Sequence, residues 1–402
     1  MNKAISFVLS LLLLMGMTSC KSEETPLQPE LPIETEEETE IEVLTPTSPL
    51  PSLDPVPDDP VDPSGYIIDN TLLQEHSQAI EQIWPASEDR LLVFTSTLSG
   101  GYISEQISLY IYDLENHTFT GDHISLGLVG QYPHAIFDDG TVMVLTRNTE
   151  TYEYENMIFI DPYALTFEKH SLSGIADLRT VHVSPDKRYA ALSTQQGVRI
   201  TDLTMQNIMA VYPGYVPEGG DPDLDYILPI VTDWLPDGSG VVGKVLGWEW
   251  VYHPFLLAVD GTVTLLDTYE GKSALPRGDG LLICDSMTQA PEGCCAADGS
   301  NYQPLEFDAS MLEDGSAYIS ALRAHADGDL LVVATAMPFD ETVSRVDLFR
   351  DGDFLRTLSI PQTGTTPITF DSAAFTPDGT KLLLMTGATV DRPCTVHVIP
   401  IE

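Results

Sequence analysis

Hydrophobic and polar positions alternate along this chain in short runs, and the runs recur as one phrase. An apolar strand enters a tight Asp/Gly turn and a second apolar strand leaves it. The clearest copies are Val183-Ser-Pro-Asp186-Lys-Arg-Tyr-Ala-Ala-Leu192, Trp234-Leu-Pro-Asp237-Gly-Ser-Gly-Val-Val242 and Phe375-Thr-Pro-Asp378-Gly-Thr-Lys-Leu-Leu-Leu384. Weaker copies turn at Asp89, Asp139, Asp279 and Asp327, so the turns lie 50, 47, 51, 42, 48 and 51 residues apart. Each unit continues into a third β-branched or aromatic run that ends in Asp, such as Leu109-Tyr-Ile-Tyr-Asp113 or Met157-Ile-Phe-Ile-Asp161, and then into a short fourth run such as 262–266. Alternation bounded by turn residues predicts strands, and no segment sustains a helical period. Four strands repeating at this interval predict an all-β fold, a β-propeller in which each repeat is one blade.

Residues 65–402 hold seven units of about 48 residues, enough for seven four-stranded blades. The fifth unit, around Asp279-Gly280, is irregular and Cys-rich, which leaves six blades plus an insertion as the alternative. The last unit stops after a third strand at 395–399, while Gly65-Tyr-Ile-Ile-Asp69 has no place in the first repeat. This N-terminal strand is therefore expected to close the last blade, removing two exposed sheet edges.

The N-terminal segment has a different pattern. Lys3 precedes an apolar stretch from Ala4 to Met17, too short for a bilayer span of about 20 residues, and Met17-Thr18-Ser19-Cys20 follows. Residues 1–19 are expected to be an export signal. The Met-Thr-Ser-Cys junction resembles the lipobox of bacterial lipoproteins, which implies cleavage before Cys20 and lipidation of its thiol; an ordinary secretory signal with an incidental Cys is the alternative. Residues 20–64 then read as a lipidated Cys and an acidic, Pro-rich tether that lacks the residues to build a core. A location in the cell envelope, lipid-anchored to a membrane and facing outside the cytoplasm, follows from that reading.

The charge balance narrows the partners. The chain has 18 basic and 61 acidic residues, a formal net charge of −43. The tether contributes thirteen of the acids against Lys21, so the propeller is itself strongly acidic. Nucleic acid, which is bound through clustered Lys and Arg, is disfavoured, as is attraction to anionic lipid head groups. Cations, basic partners or a salt-adapted setting suit such a surface. Cys284 and Cys294 or Cys295 flank a turn, so a bridge across that hairpin is a candidate in an oxidising compartment, with Cys394 two blades away. Four thiols allow three pairings, and sequence does not choose among them.

The phrases Ser184-Pro-Asp186, Pro236-Asp237-Gly238 and Thr376-Pro-Asp378-Gly379 resemble the repeats of TolB-like and WD-repeat-like propellers across most of residues 65–402. The resemblance implies fold and no particular activity. The propeller domains of prolyl oligopeptidases also look similar, although no hydrolase domain is expected after the last repeat.

In a four-stranded blade the connections alternate between two faces. The Asp/Gly turns share one face; nearly all the long insertions fall on the other. Those insertions carry Tyr102, Tyr152, Tyr154, Tyr215, Trp248, Trp250, Tyr252 and Phe339. Loops on a rigid scaffold concentrate binding residues, and exposed aromatics anchor protein or glycan interfaces. This face is expected to bind an unidentified protein or glycan; the alternative is that the aromatics pack on one another to close the loops. Asp221-Pro-Asp223-Leu-Asp225 alternates carboxylates as calcium loops do, but lacks the Gly and the downstream Glu of such loops, so a solvated loop is the first reading and no cofactor is expected. His134, His182 and His325 fall on or near channel-lining first strands, and no nucleophile elbow, phosphate loop or paired catalytic acids stand out. The expectation is a binding or scaffolding module. The alternatives are a propeller enzyme, a lactonase-like hydrolase or a lyase with a metal at the channel mouth, and a purely structural envelope protein.

Overall fold

Each repeat folds as one antiparallel four-stranded sheet, and there are seven such sheets, the sixth carrying an added strand. The computed structural model describes residues 59–60, 66–67 and 78–401, except 86–89, 100–101, 128, 138, 149–150, 152, 165, 217–225, 248–250, 314–316, 326, 337–344, 360–369, 377 and 387–394. The first strands of blades 1 to 7 are Gln78–Pro85, Val129–Ile136, Leu178–Val183, Leu228–Trp234, Lys272–Arg277, Tyr318–Ala324 and Phe370–Phe375. Helix is confined, among the described residues, to single turns at Asp267–Tyr269 and Ser310–Glu313.

The aspartates of the repeat phrase form the turns they were expected to form. Asp186, Asp237 and Asp378 accept backbone N–H bonds two residues on, from Arg188 (3.1 Å), Ser239 (2.9 Å) and Thr380 (3.1 Å). Asp139 does the same with Thr141 at 3.0 Å. These are side-chain turns that replace a backbone partner. The residue after the Asp takes positive φ: Gly238 (+69°), Gly328 (+77°) and Gly379 (+66°), with Lys187 (+56°) in the same place in blade 3. A non-glycine there costs about 1 kcal/mol, and Lys187 has a use for the position: its ammonium pairs with Asp139 of blade 2.

Seven apolar clusters fill the seven seams between neighbouring blades. Leu92, Phe94, Leu109 and Ile111 of blade 1 pack on Val142, Val144, Ile158 and Ile160 of blade 2. The last seam joins Ile80, Leu91, Val93 and Tyr112 of blade 1 to Leu383 and Val396 of blade 7. The ring is therefore closed by the same kind of contact that builds it. The N-terminal strand completes the closure: Tyr66 and Ile67 pair with Val396 and Thr395, as the missing fourth strand of the last blade predicted.

Several expectations change in detail. The fifth repeat is a regular blade, which settles the count at seven. Its Cys284, Cys294 and Cys295 are free thiols rather than a hairpin bridge. The register explains this: Cys294 lies opposite Leu282, two residues from Cys284, a diagonal longer than the Cα separation a disulfide tolerates. Cys394 lies outside the described residues. The insertion at 96–105 is no loop but a hairpin extension, with Leu98 opposite Ile103 and Ser99 opposite Tyr102; the Gly100-Gly101 pair is a hairpin signal. Asp59–Pro60, inside the segment read as tether, adds in parallel to the outer edge of blade 6 beside Leu358 and Ser359. An outer strand offers unpaired backbone groups to any extended chain that passes.

Candidate functional site

The first strands bring seven register-equivalent positions to one level of the axial channel. Trp84, Ala135, His182, Asp233, Leu275, Arg323 and Ala374 each lie opposite the same buried position of their second strands: Leu92, Met143, Ala191, Val242, Leu282, Val332 and Leu383. Ala374 separates Arg323 from Trp84 in this ring, and its small side chain lets the two long ones meet. The Arg323 guanidinium of blade 6 lies over the Trp84 ring of blade 1, 5.7 Å from its centroid, with blade 7 between them. Its charge also interacts with Asp233 of blade 4, with blade 5 between them. The contact of Arg323 with Trp84, which skips a blade, crosses the channel.

The local fold holds these groups. A β-bulge between Val231 and Asp233 sets the end of that strand, and bulges of this kind re-aim side chains near channels. The Trp234 backbone N–H donates to Asp233 Oδ1 at 2.8 Å, and the Trp234 indole N–H donates to the His182 carbonyl at 2.9 Å. His182 Nδ1 lies 3.8 Å from Asp233 Oδ1. Arg323 donates one bond back to the Leu322 carbonyl, 2.8 Å. Arg323 is exposed to solvent, yet desolvation lowers its guanidinium below the usual arginine value, with Asp233 opposing that shift. A group that is wet but enclosed on several sides by protein has this character. The turn-face mouth of the channel thus offers a cation, a carboxylate, an imidazole and an indole face.

The two ends of the channel differ. On the Asp/Gly-turn face several carboxylates are tied into their own turns, and Tyr163 is 44% exposed there. Asp113, Asp161 and Asp260 bond their own turns, through Glu115 N, Tyr163 N and Thr262 N at 2.9 Å each. On the opposite face large apolar groups stand out. Met287, between the second and third strands of blade 5, is 87% exposed, and Tyr318 opens blade 6 at 47%. Between blades 3 and 4, Tyr215 and Tyr226 are 40% and 38% exposed. They are not loose: Tyr215 and Ile227 bridge backbones, and the Tyr226 hydroxyl donates to the Gln195 carbonyl at 2.7 Å.

The aromatic candidates scatter when placed. Tyr215 is on this face. Tyr154 is buried at 9% in the seam between blades 2 and 3, where Arg147 donates to its hydroxyl at 3.0 Å. Tyr102 and Tyr252 lie in strands Tyr102–Asp113 and Val251–Ala258. Cys20, Tyr152, Trp248, Trp250, Phe339, Asp221, Asp223 and Asp225 lie outside the described residues. Among the described residues no three His, Cys, Asp or Glu side chains converge as metal ligands would. Of the channel ring, sequence reading singled out only His182. A signal was there: six members stand four residues before the turn Asp (Asp139, Asp186, Asp237, Asp279, Asp327, Asp378), and Trp84 stands five before Asp89.

No known family profile and no curated protein matches this chain. Solved structures match its fold. A prolyl endopeptidase aligns at 13% identity and TM-score 0.52, over 81% of this chain and 51% of its own. The β-propeller domain of the Trilobed protease from Pyrococcus furiosus aligns at 11% identity and TM-score 0.49, over 81% and 94%. The WD40 repeats of RRP9 align at 12% identity and TM-score 0.42, over 80% and 100%. The likeness to the prolyl endopeptidase, at 13% identity, extends to architecture alone, and the architecture follows from the sheets themselves: the chain is a seven-bladed β-propeller.

Proposed function

We propose that this protein is a lipid-anchored, extracytoplasmic binding module that docks a protein or glycan on its long-connection face. The carrying observation is the asymmetry of the two faces. One face binds many of its carboxylates into turns and exposes the aromatic Tyr163; the other presents Tyr215, Tyr226, Met287 and Tyr318 together. Half-exposed tyrosines and a Met on fixed backbone are what an interface core is made of. The acidic surface favours a partner with basic groups at its rim. The Met17-Thr-Ser-Cys20 junction supports the anchor, with the acidic tether as spacer.

Two experiments test the parts separately. Labelling cells with a fatty-acid analogue is expected to mark the wild-type protein and not Cys20→Ala; equal labelling overturns the anchor. Alanine at Tyr215 and Tyr226, and separately at Trp248 and Trp250, is expected to abolish partner capture from the envelope while the melting temperature stays within a few degrees. Retained capture, or collapse of the fold in both pairs, removes the docking face. The enzymatic alternative, with a metal at the channel mouth beside His182 and Asp233, predicts one tightly held metal per chain on elemental analysis of protein purified without added metal.

A further inference from the structure

We propose that the turn-face mouth of the channel is a binding site for a small zwitterion, its carboxylate on Arg323 and its ammonium on Asp233. This is independent of the docking face, which lies at the other end of the channel. Three observations carry it. First, Arg323 and Asp233 stand at one register level on the innermost strands of blades 6 and 4, with no ion-pair contact within 4.0 Å between them. Other basic side chains are engaged directly: Arg188 with Asp186, Arg345 with Asp347, Lys187 with Asp139, and Lys272 with Glu292. Two opposite charges on one channel that are not paired with each other can be bridged by a ligand that carries both signs.

Second, the guanidinium is set for recognition. It lies over Trp84 and spends one donor on Leu322. A guanidinium has five N–H donors in a planar fork, and stacking on an aromatic face leaves its edge available for a bidentate carboxylate. The partly desolvated channel strengthens such a charge-assisted pair. On the other side, Asp233 keeps Oδ1 on the Trp234 backbone and is 64% exposed at its side chain, so it has acceptor capacity for an ammonium.

Third, the charge of the whole molecule selects the class. A net charge of −43 repels a free anion on approach, and a simple cation that reached Asp233 would also meet Arg323. A zwitterion carries no net charge, so the long-range field does not oppose it, and both local charges favour it. Ala374, Ala135 and Leu275 bring no further charge to this level.

The test is a calorimetric titration of the full protein at low ionic strength with glycine, β-alanine, γ-aminobutyrate and 5-aminovalerate. This series increases the separation of the two charges one methylene at a time and so acts as a ruler for the gap. One or two members are expected to bind saturably, about tenfold or more tighter than acetate or methylamine, each of which satisfies one half of the site. Arg323→Gln is expected to abolish binding, and Asp233→Asn to erase the preference for the zwitterion over acetate. Should R323Q fail to fold, R323K keeps the charge and loses the fork; it is expected to bind about tenfold weaker. Trp fluorescence supplies a second readout, since a carboxylate on Arg323 changes the charge over Trp84. The proposal is overturned if no member of the series binds at millimolar concentration, if acetate alone binds as tightly, or if folded R323K and D233N bind as wild type does.

Discussion

Asp347 is the most deeply buried carboxylate among the described residues, at 1% exposure. It accepts from Arg345 Nε at 2.8 Å and from the Thr357 hydroxyl at 2.7 Å. Removing one member of such a set leaves the other charge without its partner, which costs about 3–5 kcal/mol. Asp347→Ala is expected to lower stability by that order in denaturant titration, whereas exchanging both Asp347 and Arg345 for apolar residues of similar volume costs much less. Two other residues set the pH response. Burial holds the His397 imidazole below its ordinary 6.5, so the unfolded chain binds that proton more readily than the native one. Its contribution is present above about pH 6.5 and lost as the pH falls below it. His397→Leu is expected to flatten that limb of the pH–stability curve; an unchanged slope contradicts the assignment. The Lys187 hydrogen bond, with help from Thr141, holds Asp139 down to about 2 against an ordinary 3.8. That contribution is present above pH 3.8 and lost between 3.8 and about 2. Asp139→Asn is expected to be less stable than wild type at neutral pH and to converge with it near pH 2.

At the scale of elements, the blades differ in how they end, and the seventh depends on a strand from the far end of the chain. Tyr66 and Ile67 pair with Val396 and Thr395. Ile67→Pro removes a ladder donor from that strand and is expected to lower the melting temperature by several degrees and to raise protease sensitivity at the blade 7 edge first. An unaltered melting curve would mean that the seam of Leu383 and Val396 against Ile80 and Leu91 closes the ring alone. The strands and turns were readable from sequence because each is a local affair: alternation sets a strand, and Asp with a following Gly sets a turn. The pairing of 66–67 was readable from a count of missing strands. The parallel addition of Asp59–Pro60 was not, since it depends on where an unpatterned segment happens to pass. Nor was the burial of Tyr154, whose place is decided by Arg147 and the neighbouring blade.

Over the whole molecule, the repeat determines the ring and the ring creates what the repeat conceals. The phrase at Asp186, Asp237 and Asp378 is legible as a blade because it recurs. The turn-face mouth of the channel is made from the positions that do not recur, Trp84, His182, Asp233 and Arg323, at one register level. Their meeting requires the chain to close on itself, so periodicity alone carries no sign of it. The same geometry divides the surface into a face of turns, many of them closed by their own aspartates, and a face where Tyr215, Tyr226, Met287 and Tyr318 stand exposed. That division is the central claim, and photo-crosslinking in intact cells tests it most directly. A photoreactive phenylalanine is placed at Tyr215 or Met287 on the long-connection face, and at Asn116 or Asp260 on the turn face. The account predicts discrete adducts from positions 215 and 287 and none from 116 and 260; adducts from the turn face alone, or from no position in a folded protein, would contradict it.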